Sequence, residues 1–195
     1  MLLLGVLQAQ AAGAGPVGGP AFDLLDEEIL LSAASSVTFS GLDTLAAGYQ
    51  HLQIRYSAQG DRGSPHFQDL MSVYFNGDTG ANYSFHYLRG YENAVQSGYS
   101  NLYNFNYVSL NYKNANLFAA GVIDILDPFE TTKYKTMRSL NGYMNNSSSF
   151  ENAVALASGS WRNTNAVNSI TLDPALGANF TARSRFSLYG IKAGS

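Results

Sequence analysis

The sequence contains no cysteine among its 195 residues. Without a thiol the chain cannot form a disulfide, hold an iron–sulfur cluster, bind zinc through thiolates or use a cysteine nucleophile. A chain of this length buries roughly two-thirds of its unfolded surface, which is enough to hold one domain together. We therefore expect a single core stabilised by packing and hydrogen bonds.

Charged side chains are also scarce. They make up 13% of the residues, about half the usual share of about 25%. Eleven basic and 14 acidic residues give a net charge of −3, which argues against a protein that binds the phosphate backbone of a nucleic acid. Neutral polar residues replace the charges, with 17 Asn, 7 Gln, 21 Ser and 9 Thr beside 19 Gly and 13 Tyr. This composition is typical of an all-β protein on an extracellular or particle surface and unlike that of a cytosolic metabolic enzyme.

No apolar run approaches the length of a membrane span. The first 22 residues carry no charge, and their main apolar cluster comprises Leu2, Leu3, Leu4, Val6 and Leu7. This cluster is far shorter than the roughly 20 residues of a spanning helix. It is also short for the core of a signal peptide, and no Lys or Arg precedes it.

We predict that residues 1–21 form an N-terminal docking arm and that residues 22–195 form the folded domain. An arm rich in Ala and Gly gains little burial to offset the entropy lost when it becomes ordered, so an ordered arm needs a surface to hold it. Docking on a neighbouring subunit through the five apolar residues is the favoured interpretation. Packing against its own domain and a weak export signal are the alternatives.

From Phe22 onward the dominant period of the sequence is two. Such alternation indicates strands with one face in a core and the other in solvent. A more continuously apolar run with one acid, Asp124, indicates a central strand. The runs that we interpret as strands include 37–40, 51–56, 71–75, 83–87, 122–126, 154–156, 170–172 and 186–191.

Turn residues separate these runs at the spacing of a β-sandwich. The pair Asn76-Gly77, between Phe75 and the aromatic run 83–87, predicts a β-hairpin. The segment 42–48 has room for one helical turn. We therefore predict an all-β fold of about nine to eleven strands in two packed antiparallel sheets, a jelly-roll-like sandwich.

Tyrosine is concentrated in one part of the chain, since seven of the 13 tyrosines lie within residues 83–112. The segment 99–112 is either a long loop whose rings pack over a sheet edge or a contact surface. Tyrosine suits a contact surface because it supplies a large amphipathic area at little cost in entropy. Aromatic rings beside Asn also suit sugar binding, so Tyr99, Tyr103, Asn104 and Tyr107 are the candidate surface-contact or glycan-binding residues.

No motif of known chemistry occurs in the sequence. The histidines His51, His66 and His86 lack the spacing of metal ligands. Nucleophile elbows and the glycine patterns of phosphate-binding loops are absent. We therefore predict no catalytic residue, no metal site and no cofactor.

Carboxylates leave one enzymatic alternative open. A glycosidase needs only two acids that the fold brings together, and Asp124, Asp127 and Glu130 are candidates. Asp124 interrupts an apolar strand, so we expect it to be partly buried and hydrogen-bonded. A structural role for this residue is favoured over a catalytic one.

Five segments of the chain look familiar: Tyr49–Arg55, Phe75–Tyr83, Val122–Leu126, Lys135–Leu140 and Phe186–Ile191. Together they resemble a β-rich family of structural proteins of tailed phages. The similarity runs in order from about residue 36 to residue 191, and its most specific part is the strand-plus-turn block Phe75–Tyr83. The resemblance implies a virion or tail-region protein and brings no catalytic motif.

These observations together predict a non-enzymatic structural component at the surface of a tailed-phage virion. The first hypothesis is a tail or baseplate appendage or fibre protein, docked onto other virion proteins through residues 1–20. Copies are expected to form a homo-oligomer, with a trimer favoured, because a closed assembly covers exposed sheet edges. The alternatives are a capsid decoration (cement) protein and an adhesin module for a host-surface glycan. Neither nucleic acid nor membrane is an expected partner.

Overall fold

Strands predominate, as the period of two predicts. The structure is a computed structural model that describes residues 21–63, 68–101, 105–111, 116–144 and 152–192, with residues 105–111 described by their backbone alone. Within these ranges the chain forms twelve strands and one short helix. The helix α1 (Leu42–Leu45) confirms the predicted helical turn. The strands are β1 (Phe22–Ile29), β2 (Val37–Ser40), β3 (His51–Ala58), β4 (Gln68–Phe75), β5 (Tyr83–Tyr91), β6 (Ala94–Ser100), β7 (Phe105–Asn111), β8 (Ala119–Leu126), β9 (Lys135–Tyr143), β10 (Ala153–Trp161), β11 (Ser169–Pro174) and β12 (Arg185–Ile191).

The strands belong to two antiparallel sheets of unequal width. The large sheet has eight strands in the order β1-β12-β3-β8-β9-β10-β5-β6, and the small sheet has four in the order β2-β11-β4-β7. Their inward side chains form one apolar core. The predicted all-β sandwich is therefore confirmed, while the jelly-roll subclass stays a prediction.

The aromatic centre of the core lies where the two sheets meet at Trp161. The indole ring of Trp161 is buried, with the ring centroid of Phe75 at 5.6 Å and that of Tyr83 at 6.4 Å. Its Nε1–H donates a hydrogen bond of 2.7 Å to the carboxylate of Asp78. Because the polar edge of the indole is satisfied, the whole side chain can be buried.

The Asn76-Gly77 pair forms a turn, but the predicted hairpin is wrong. Both residues have positive φ, 52° and 68°, which is the backbone conformation that makes this pair a strong turn signal. The flanking strands β4 and β5 nevertheless belong to different sheets. The carboxylate of Asp78 accepts hydrogen bonds from Gly80 N–H and Asn82 Nδ2, so it orders a crossing between the sheets rather than a hairpin.

Two glycines of the large sheet are covered by tyrosine rings from the neighbouring strand. Gly121 of β8 pairs with Tyr56 of β3, and Gly98 of β6 pairs with Tyr87 of β5. A Cβ at Gly121 would lie 2.4 Å from the Tyr56 hydroxyl, and one at Gly98 would lie 2.7 Å from the Tyr87 ring. A tyrosine that covers a strand glycine restores the packing that the missing side chain leaves out.

Candidate functional site

Three adjacent strands of the large sheet direct leucines away from the core. Leu156 of β10 pairs with Leu88 of β5 on one side and with Leu140 of β9 on the other. The three side chains therefore form a row across the outer face of the sheet. They are 53%, 50% and 52% exposed, respectively. We call this row and the two valines described next the leucine face.

Two valines extend the row at one end. Val154 lies two residues before Leu156 on β10 and pairs with Gly90 of β5 and Gly142 of β9. Gly90 pairs in turn with Val95 of the edge strand β6. Because the glycines carry no side chains, both valines stand exposed above the backbone of their neighbours. The leucine face thus extends over β9, β10, β5 and β6.

In the middle of β9 and β10 the inward side chains are smaller or more polar than the outward ones. Ala155 and Ala157 of β10 point inward and are buried, as are Ser139 and Asn141 of β9. The backbone of β7 in the small sheet passes close to both strands, so small inward residues let the sheets approach. Beside Leu140 and Leu156 the usual arrangement, with the larger apolar residues facing the core, is therefore reversed. Elsewhere in the two strands it holds, and the large side chains buried there are Met137, Tyr143 and Trp161.

A polar network borders the leucine face. Arg138 of β9 donates to Asp124 of β8 at 2.8 Å, and Gln53 Nε2 of β3 donates to the same carboxylate at 2.7 Å. Arg55 Nε donates to Gln53 Oε1 at 2.8 Å. The prediction that Asp124 is partly buried and hydrogen-bonded is confirmed, and its contacts tie three strands together.

A shallow groove rich in hydroxyl groups adjoins the network. Its volume is about 320 Å³. Tyr99 of β6 lines it and is 75% exposed, so one face of the ring is available to a ligand. Two serine hydroxyls on adjacent strands hydrogen-bond at 2.8 Å. The polar lining comprises Ser84, His86, Asn101, Thr136, Ser158 and Ser160.

The predicted tyrosine-rich contact surface is divided between the two sheets. Tyr99 lies on β6, an edge of the large sheet, whereas Tyr107 lies on β7, an edge of the small sheet. Tyr103 and Asn104 are outside the described residues, as is the side chain of Tyr107. The described residues of segment 99–112 are mostly in strands. The interpretation of this segment as a long loop is therefore wrong for the residues that the structure describes.

The predicted docking residues Leu2, Leu3, Leu4, Val6 and Leu7 also lie outside the described residues. The N-terminal docking arm therefore stays a prediction. Within the described part of the chain, no helix has the length and apolar character needed to cross a membrane.

The candidate acids at the end of β8 are engaged with cations and backbone groups. Lys133 Nζ donates to Asp127 at 2.5 Å and holds the pKa of that carboxyl below its ordinary value. The backbone N–H of Thr131 lowers the pKa of Glu130. A glycosidase needs one acid that stays protonated. Neither of these carboxyls has the raised pKa of a general acid.

A carboxyl with a raised pKa occurs instead in the interior. Burial raises the pKa of Asp69. The carboxylate of Asp69 is fully buried and accepts hydrogen bonds from the backbone N–H groups of Leu70, Leu176 and Gly177. These bonds hold the loop that follows β11, which is a structural role. Among the described residues, no group of three or more His, Cys, Asp or Glu side chains is placed to hold a metal ion.

The leucine face is the candidate functional feature that the sequence pattern did not reveal. In β10 both alternating sets are apolar, Ala155 and Ala157 on one side and Val154 and Leu156 on the other. The larger pair would ordinarily be assigned to the core. The pattern at Leu140 does not reveal the face either, because an apolar residue between Ser139 and Asn141 in a strand is ordinarily assigned to the core.

No protein-family model matches the chain, and a search of curated proteins finds no significant match.

Proposed function

We propose that the chain is a non-enzymatic structural protein of a tailed-phage particle, a tail or baseplate appendage or fibre protein at the particle surface. The observation that carries the proposal is the leucine face, since a broad, uncharged apolar surface on a rigid sheet suits assembly. The low charge, the β-sandwich and the resemblance of segments such as Phe75–Tyr83 support it. The protein works without a cofactor in this proposal.

In the assembled particle, residues 1–20 dock on another virion protein through Leu2, Leu3, Leu4, Val6 and Leu7. Copies of the chain associate as a homo-oligomer, with a trimer favoured. The sandwich is then displayed outward, and its partners are structural proteins rather than nucleic acid or membrane.

The location of the protein tests this proposal. Antibodies raised against the full chain, labelled with gold, are applied to intact particles and viewed by electron microscopy. Label at the tail end is the expected result. Label distributed over the head would instead favour the capsid decoration protein, and particles free of label would contradict both forms of the proposal.

A truncation tests the role of the arm. Removing residues 1–20 is expected to abolish incorporation into particles while the thermal unfolding transition of the purified protein is retained. The matched variant keeps the chain length and replaces Leu2, Leu3 and Leu4 by Ser. Incorporation of both variants at the level of the unmodified chain would disprove docking through the apolar cluster.

Glycan binding is a second candidate function, which the groove beside Tyr99 favours. An exposed aromatic ring next to hydroxyl and amide groups offers a stacking surface and hydrogen-bond partners to a sugar. A glycan array probed with the full chain is expected to show binding that Tyr99→Ala abolishes. Tyr189→Ala is the matched control, since Tyr189 lies on β12, near the opposite end of the large sheet from β6. Equal signals from the two variants would exclude this groove.

A further inference from the structure

We infer that the leucine face is an interface between copies of this chain. The inference specifies the homo-oligomer of the proposed function and rests on it. It names a surface that the sequence analysis did not find, and it is tested on the purified protein, away from any particle.

The direction of the side chains is the first argument. Leu88, Leu140 and Leu156 are about half exposed on three neighbouring strands. The buried positions next to Leu140 and Leu156 in the chain are nevertheless occupied by small or polar residues: Ser139, Asn141, Ala155 and Ala157. A strand that only had to fold would gain more by turning its larger apolar residues inward. The outward placement therefore points to a second layer that covers this face, as the small sheet covers the other.

The charge of the surface is the second argument, and it favours a second copy as the occupant. Arg138 is the one charged side chain directed outward from the four described strands of the leucine face, and Asp124 neutralises it at 2.8 Å. The chain as a whole carries a net charge of −3, so two copies repel each other weakly elsewhere. Identical copies can approach each other through this neutral apolar face without electrostatic repulsion.

The dimensions of the face are the third argument. The four strands β9, β10, β5 and β6 span about 19 Å at about 4.8 Å per strand, and eight residues span about 26 Å at about 3.3 Å per residue. The outer surface of these strands, with the leucine face at its centre, therefore measures about 500 Å², which is of the same order as the about 800 Å² per partner of a standard interface. One face of the sheet therefore provides most of the area that stable association needs.

The symmetry of the patch is the fourth argument. Leu156 lies at its centre, with Leu88 on one flank and Leu140 on the other. Identical surfaces can pack about a symmetry axis near Leu156 without a second type of site. In such packing the central leucine of each copy contacts the leucines of its neighbour, and the sheets lie about 10 Å apart.

The test is the oligomeric state of the purified full chain, measured by sedimentation equilibrium over a range of concentrations. The unmodified chain is expected to form at least a dimer, because a self-complementary face pairs two copies about a two-fold axis. Leu156→Arg is expected to weaken association by about 30-fold or more, the effect of losing a central interface contact. Leu176→Arg is the matched control, because Leu176 is 50% exposed in a loop away from the leucine face, and it is expected to associate normally.

Several outcomes would overturn the inference. They include an unmodified chain that is monomeric up to about 100 μM, well above the Kd of a weak specific interface, and equal weakening by Leu156→Arg and Leu176→Arg. If Leu156→Arg fails to show the unfolding transition of the unmodified chain, Leu140→Arg replaces it with the same expectation. If gold labelling finds no protein on the particles, the proposed virion role fails, but the sedimentation result for the purified chain still stands. The failure of the proposed function and the failure of this inference are therefore distinguishable.

Discussion

The two faces of the eight-stranded sheet carry aliphatic side chains in different surroundings. Ile123 and Ile125 of β8 point toward the small sheet and are fully buried, whereas Leu156 of β10 points the other way and is half exposed. The residues have similar hydrophobicity, and the difference is the presence of a covering layer. Burial thus follows from which side of the sheet the second layer occupies.

Charged side chains on the two faces of the large sheet also have different surroundings. Lys135 on the inner face of β9 is fully buried and donates to three backbone carbonyls, while Arg138, three residues later on the outer face, is exposed and pairs with a carboxylate. A buried charge needs every hydrogen bond satisfied, and an exposed one is stabilised by water. Paired substitutions on the two faces test this comparison.

The largest expected difference in the free energy of unfolding is between the variants Trp161→Ala and Leu156→Ala. Loss of the buried indole leaves a cavity and should lower the free energy of unfolding by about 3–5 kcal/mol. Loss of the half-exposed leucine should lower it by at most about 1 kcal/mol when the protein is dilute enough to be monomeric. Urea denaturation of both variants measures the two values. Equal losses would mean that the outer face is covered within a single chain.

The next difference is between the two cations. Lys135→Met removes the donor to the carbonyls of Glu130, Lys133 and Thr164 and should cost about 1–3 kcal/mol, because partly buried acceptors lose their donor. Arg138→Met removes an exposed ion pair and should cost less than about 1 kcal/mol. The same denaturation experiment compares them. A larger loss for the arginine variant would show that the outer network, rather than the buried lysine, holds these strands.

Glycines on the two faces should differ by a smaller amount. Gly121→Ala places a Cβ in contact with the ring of Tyr56 and should destabilise by about 1–3 kcal/mol through overpacking. Gly90→Ala meets only Val154, with 3.5 Å to its nearest methyl group, and should be within about 0.5 kcal/mol of neutral. Thermal unfolding of the two variants is sufficient, and a neutral Gly121→Ala would show that Tyr56 can move aside.

The smallest expected effect is a pH dependence at the end of β8. The hydrogen bond from Lys133 lowers the pKa of Asp127 below its ordinary value of 3.8. The stabilisation from this carboxylate is therefore present above pH 3.8 and is lost as the pH falls through the folded-state value. Melting temperatures between pH 5 and pH 2 should fall slightly less in Asp127→Asn than in the unmodified chain. Parallel curves would mean that the ion pair contributes nothing.

Some strands were predictable because their two faces differ clearly. In β3, Leu52, Ile54 and Tyr56 alternate with polar residues, and the strand lies where the pattern placed it. The runs that became β4, β8 and β12 were also recognised. Alternation works for them because one side is buried and the other carries polar groups.

Strand β9 was missed because its pattern changes along its length. Met137 is inward and Leu140 is outward, so no single face is apolar from end to end. Strands β1, β6 and β7 were not singled out either, since acidic residues in β1 and Asn and Ser in the other two obscure the alternation. The pair Asn76-Gly77 also correctly predicted a turn. It did not predict that the following strand, β5, pairs with β10 and β6 rather than with β4.

Residue types and their alternation are sufficient to assign the all-β class, the strands with a clear period of two, the absence of thiol chemistry and the partial burial of Asp124. These properties depend on residue type and on the direction of neighbouring side chains, which are local. The pairing of strands in three dimensions sets which sheet each strand joins and which face of the large sheet is covered. It placed Leu88, Leu140 and Leu156 side by side from three strands, because strand pairing joins residues that are far apart in the chain and no local pattern encodes it.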